Sequence, residues 1–157
     1  MRTHWVLAVT SILFAGLAIA NEAGQIKVAK GSAFVQRDGQ KLAATAGMKV
    51  QSADVLITGA DGSIGVTFLD NSLVSTGPNS VFAIDRYAFD STTHHGTFDG
   101  SLKKGTLAAV SGKMVKQAPE SMRIHTPASI MGVRGTEFVV QVIDPAIEFP
   151  GQLSKRP

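Results

Sequence analysis

The chain has 157 residues, 16 of them glycine and none cysteine, with 17% charged residues and a formal net charge of +3. That length supports one domain, and the lack of cysteine excludes disulfide scaffolds and thiolate metal sites. The small positive charge gives no basis for nucleic-acid binding, and the glycine-rich, charge-poor composition suits turn-rich β-structure better than helices.

The first twenty residues have the three parts of a secretory signal. Arg2 supplies a positive start, Val6 to Ala20 is an uncharged apolar run, and Ala18-Ile19-Ala20 places small residues where signal peptidase reads. The run is shorter than the ~20 apolar residues a membrane-spanning helix needs, so residues 1–20 read as a signal peptide cleaved before Asn21. Processing would remove Arg2 and take the net charge from +3 to +2 (3 − 1). Without cysteine the product is no lipoprotein. A disulfide-free exported domain fits a bacterial periplasm or exterior, with no membrane span after cleavage.

From Gln25 onward, short runs of period two alternate with turn residues. Ile26 and Val28 open a strand that Gly31 interrupts and Ala33 to Gln36 continue, and Asp38-Gly39 marks a hairpin turn. Lys41 to Lys49 is weakly patterned and reads as a connection. Asp54 to Thr58 is a short apolar strand, Asp61-Gly62 turns the chain, and Ile64, Val66 and Phe68 form the apolar face of a half-buried strand. Asp70-Asn71 and Gly77-Pro78-Asn79-Ser80 are further turns around Leu73–Thr76, and Val81 to Tyr87 follows as a strand. Phe89 to Gly100, polar and poor in aliphatics, reads as a loop or flexible hairpin. Leu102 and Leu107–Val110 flank Gly105, and Met122 to His125 leads into Thr126-Pro127. Turn signals every 8–12 residues without helical periodicity specify an all-β fold, expected as a solenoid-like or sandwich-like stack of short strands.

In the segment from Thr126 to Phe138, Pro127 must sit at an edge, bulge or strand start, and Gly132 and Gly135 bracket Val133-Arg134 as a tight bend would need. Phe138, Val140 and Val142 then alternate with Val139 and Gln141 as a strand with one buried face. These residues, in order with Asp54–Gly59, Gly62-Ser63, Asp70–Leu73, Gly77–Ser80, Gly105–Leu107 and Val110–Gly112, resemble the FecR domain. Its most recognisable signature is matched by Thr126, Pro127, Gly132, Arg134, Gly135, Thr136 and Phe138. The resemblance spans residues 26–143 and implies an extracytoplasmic all-β domain. In its best-known members that domain belongs to a transmembrane regulator relaying a signal from an outer-membrane transporter, often for iron chelates, to a sigma factor. Two departures stand out. Only Met1 to Trp5 precede the apolar run, leaving no sigma-binding segment. Asp144-Pro145 also breaks the last strand before a basic tail, so the chain looks cut short and the signature strand is expected to have an unpaired edge. The expected organisation is a signal peptide over 1–20, the β-domain over 21–144 and an irregular tail over 145–157.

Few residues suggest chemistry. Arg134 offers a planar fork to carboxylates or phosphates, but tying down carbonyls or Glu137 to hold the bend is the expectation. His94-His95 are adjacent, so on a strand they face opposite ways, and with His125 they match no metal motif. Asp38, Asp61, Asp70 and Asp99 are ordinary turn residues. Ser101-Leu102-Lys103-Lys104 has the spacing of penicillin-recognising enzymes without their context. Neither a catalytic residue, a cofactor nor a metal is assigned. Lys103, Lys104, Lys113, Lys116 and Arg123 form a basic stretch opposed by Glu120, of which Lys103, Lys104 and Lys113 are candidates for contact with anionic polymers. The reading is a non-catalytic module that binds another envelope protein through strand edges or loops, with a link to metal or iron-chelate uptake implied by the family resemblance. The alternative is a structural or adhesive component on anionic cell-wall polymers.

Overall fold

The computed structural model describes residues 22–143. The expected signal peptide and the tail after Asp144 lie outside the described residues. Twelve strands form one sheet, antiparallel at every pairing but one, that curls back so its two halves enclose the core. The all-β expectation holds. Among the described residues no helix is long and apolar enough to cross a membrane.

Strand β1 (Glu22–Lys30) turns at Gly31 into β2 (Ala33–Arg37), which hairpins into β3 (Gln40–Ala43). The turn between them has Asp38 and Gly39 both at positive φ, 50° and 77°, the left-handed pair that a two-residue hairpin requires. Strand β3 and the three-residue β4 (Lys49–Gln51) narrow the connection expected over residues 41–49 to residues 44–48. Both are outermost strands of the sheet, and β3 is solvent-exposed on most positions. Such a strand buries no face and therefore shows no alternation.

Strand β5 (Val55–Thr58) pairs with β2, and β6 (Ser63–Phe68) lies between β1 and β7 (Leu73–Thr76). Burial along β6 alternates as its sequence does, with Ile64, Val66 and Phe68 at most 2% exposed. Strand β8 (Val81–Phe89) hairpins into β9 (Gly96–Val110), the longest strand of the fold. Of the two readings of Phe89 to Gly100, a loop or a flexible hairpin, the structure has the hairpin: its loop is only Asp90–His95, and Gly96 to Gly100 belongs to the ladder. Aliphatics are scarce there because the partner strand fills the space: a Cβ on Gly100 would lie 2.5 Å from the Phe82 ring.

After β9 comes a single five-residue helix, α1 (Lys113–Gln117), which buries Met114 and Val115. Five residues are too few to display a 3.6-residue period, so it left no sequence signal. Strands β10 (Met122–His125), β11 (Ile130–Gly132) and β12 (Glu137–Val142) complete the fold. The core joins the two halves through an aromatic cluster. Phe98 sits 4.5 Å from Phe68, 5.5 Å from Tyr87 and 6.5 Å from Phe82, centroid to centroid, in the offset and edge-on arrangements that aromatic quadrupoles favour.

Candidate functional site at the bend of strand β9

Strand β9 belongs to both halves of the sheet and changes direction where it passes between them. On one side it is lined by β8 over Gly96–Lys104 and by β7 over Leu107–Val110. On the other side β10 runs parallel to it up to Ser101, and β12 runs antiparallel down to Gly105. The change of direction has two local causes. Val81 pairs with Lys104 and Phe82 with Leu102, which leaves Lys103 as the extra residue of a β-bulge. Two residues on, Gly105 adopts φ +89°, open to glycine and costly to other residues.

Because β10 and β12 approach the bend from opposite ends, among the described residues the β12 side of β9 carries no strand between Ser101 and Gly105. A cleft of about 750 Å³ opens there. Its floor is Lys103 and Lys104, and its walls are the turn from Thr126 to Ser129 and the end of β12 from Val140 to Ile143. Three consecutive residues of β12, Val140 to Val142, line it together with Ile143, so the strand presents its edge, since one face would offer only alternate residues. The turn is closed by Thr126, whose hydroxyl accepts the Ser129 amide at 3.0 Å while its own amide donates to the Ser129 carbonyl at 2.8 Å. Thr126 and Pro127 thus shape one wall.

The rest of the expected signature is arranged differently from its sequence reading. Gly132 and Gly135 are absent from the positive-φ glycines, and an added Cβ would meet nothing within 4 Å at either. The bend does not need them. Arg134 is exposed, and none of the ion pairs among the described residues includes it or Glu137. The carbonyls of Gly135 and Thr136 are held instead by Ser111, through its hydroxyl at 2.5 Å and its amide at 2.9 Å. Phe138 and Val142 are half-buried and Val140 is buried, while Val139 is 65% exposed, the alternation expected of this strand.

The basic stretch does not form one face. Lys113 lies beyond the far end of β9, and the six residue steps from Lys104 to Val110 span roughly 20 Å of strand. Arg123 is committed to Asp99 at 2.9 Å. The neighbouring His94 and His95 are also apart from His125: they lie in the β8–β9 loop, where His94 stacks on Phe89 at 6.2 Å, and His125 ends β10. Among the described residues no three His, Asp or Glu side chains are grouped to hold a metal ion.

Two buried polar networks, both missed in the sequence, hold the frame. Arg37 donates to both carboxylate oxygens of Asp54, at 2.8 and 2.7 Å, and to the Lys49 carbonyl at 2.9 Å. Asp54 is fully buried, and its hydrogen bonds raise the Arg37 pKa. The second network runs from Tyr87 through Asp70 to Ser72 and the Gly112 amide. The Tyr87 hydroxyl donates to Asp70 at 3.1 Å, the Ser72 hydroxyl donates to Asp70 at 2.7 Å, and the Gly112 amide donates to Ser72 at 2.9 Å. It fastens the β6–β7 turn to β8 and to the start of α1.

Burial, reinforced by the Asp70 carboxylate, pushes the Tyr87 hydroxyl above the ordinary tyrosine range. A folded pKa above the unfolded one gives stability that is complete below about pH 10 and is lost as pH rises beyond it. Tyr87 is the only tyrosine in the chain, so tyrosinate absorbance reports it alone. We expect it to ionise only on alkaline unfolding. Phe in its place should also remove an alkaline loss of stability of up to about 1.4 kcal/mol per pH unit. Ionisation near pH 10 in a still-folded protein would contradict the network.

The turn residues at Asp70–Ser72 and Gly77–Ser80, the bend at Gly105 and the Ser111-clamped signature are now placed in one frame. The family described as FecR protein matches residues 54–149. The chain belongs to the FecR family. The FecR match opens at Asp54, the buried partner of Arg37, and strands β1 to β4 precede it although β1 and β2 bury core residues Ile26 and Val35. A solved structure titled "Cell surface anchoring domain" is similar at 31% identity, over 39% of this chain and 82% of that one, with a TM-score of 0.38. No curated protein matches the chain.

Proposed function

We propose that this FecR-family chain is a non-catalytic module of the bacterial envelope, periplasmic or secreted, that relays a signal or holds a complex by being bound by another envelope protein. The observation that supports it most is that, among the described residues, one side of β9 is open at its bend and β12 and β11 are each paired on one side. Exposed strand edges are templates for strand addition by a partner. The regulatory character of the FecR family agrees with a binding role, and the apolar run at residues 6–20 agrees with export. A link to metal or iron-chelate uptake comes from the family's best-known regulators and is part of the proposal. The polymer-binding alternative is weakened by the distance of Lys113 from Lys103 and Lys104.

The test is affinity purification of the tagged chain from cross-linked envelope. One or a few envelope proteins should be recovered in near-stoichiometric amount. Recovery at the level of an untagged control would overturn the reading.

A further inference from the structure

Resting on that binding role, we infer that the cleft at the β9 bend accepts an extended segment of a partner protein carrying an acidic side chain flanked by aliphatic ones. The floor is at Lys103 and Lys104, and among the described residues no strand pairs with β9 there on this side. The gap is three residues wide, roughly 10 Å of strand, which suits a short segment entering between the Thr126–Ser129 turn and the end of β12. The walls are apolar where a segment's side chains would rest, on Met131, Val140 and Val142.

Charge decides the rest. Lys103 and Lys104 line the cleft, and among the described residues no acidic one does. Among the described residues, the acids nearby in register are engaged elsewhere: Asp99 pairs with Arg123, and Asp85 accepts the Ser101 hydroxyl. Neither lysine is in an ion pair among the described residues. Two consecutive exposed lysines that line a cleft with apolar walls fit a carboxylate on a strand-forming peptide. A polysaccharide could meet the charges but would leave the backbone amides and carbonyls of the floor without a strand partner.

Acetylated, amidated hexapeptides of alternating valine and threonine, carrying one central glutamate, glutamine or lysine, provide the test. They would be titrated into the full chain by calorimetry, with amide NMR shifts to locate binding. The glutamate peptide should bind at least tenfold more tightly than the other two, shift the amides of residues 102–104 and 140–142, and weaken as salt rises. The Lys103→Ala/Lys104→Ala double variant, whose changes are on exposed side chains, should keep its fold and lose that preference. Equal binding of all three peptides, or unchanged selectivity in the double variant, would overturn the inference. So would concentration-dependent dimerisation abolished by the double change, which would assign the cleft to a second copy. Should the double variant still recover the same envelope partner, the cleft inference falls and the binding role stands.

Discussion

Gly105→Ala is expected to unfold the protein or to destabilise it by more than about 4 kcal/mol, out of the 5–15 kcal/mol typical of a domain. Two independent costs combine. At φ +89° any L-residue with a Cβ loses about 1–2 kcal/mol. The Cβ would also stand 2.5 Å from the Ser80 Cα and 2.2 Å from its Oγ. A backbone atom is a neighbour that cannot swing away, so β8 or β9 must move. Movement would break the paired bonds of this corner, in which the Thr106 amide donates to Ser80 Oγ at 2.9 Å and the Ser80 amide donates to the Thr58 hydroxyl at 2.9 Å. Gly132→Ala and Gly135→Ala, with ordinary φ and open space, should stay within about 0.5 kcal/mol of the parent. Urea unfolding followed by circular dichroism compares the three. A parental midpoint for Gly105→Ala would show that the bend is not built as described.

This contrast shows what was legible in the sequence. Hairpin turns were, because positive φ selects a few residue types: Asp38, Gly39, Asn71 and Asn79 all adopt it. Half-buried strands were, because Ile64, Val66 and Phe68 carry their burial in their spacing. The glycines of the signature looked like the tight bend because they bracket an arginine, yet Gly105 holds the demanding conformation. Which glycine is strained depends on what approaches it, here Ser80 from the β7–β8 turn 25 positions earlier. The cleft was hidden for the same reason. Nothing local to Leu102–Lys104 announces a bulge, and the gap exists only because β10 and β12 stop at Ser101 and Gly105 from opposite directions. Lys103 and Lys104 were noticed as charges, but their separation from Lys113 follows from strand geometry that composition cannot report.

Asp54 was read only as the start of an apolar strand, although an aspartate directly before Val55-Leu56-Ile57 is itself a signal, since a carboxylate there needs a partner if the strand is buried. The partner is Arg37, 17 residues earlier, on the strand that pairs with β5. Removing one side of a buried ion pair is more costly than the pair's net contribution, because the other charge and its amides are left unsatisfied. In Asp54→Ala the Gln51 amide loses its acceptor at 2.9 Å, and the Arg37 guanidinium loses both carboxylate bonds. The Arg37 side chain is 28% exposed, so water relieves part of its loss, and the expected destabilisation is near 3 kcal/mol, the low end of the range for broken buried pairs. Arg37→Met should be worse relative to the charge it deletes, because the carboxylate at 1% side-chain exposure has no comparable access to water. The double variant Arg37→Met/Asp54→Leu should recover much of the loss, as apolar replacements of buried pairs often do. A double-mutant cycle measured by urea unfolding therefore discriminates between a coupled pair and two independent polar residues. Additive losses across the cycle would sever Asp54 from Arg37 and leave the first residue of the FecR match without its structural role.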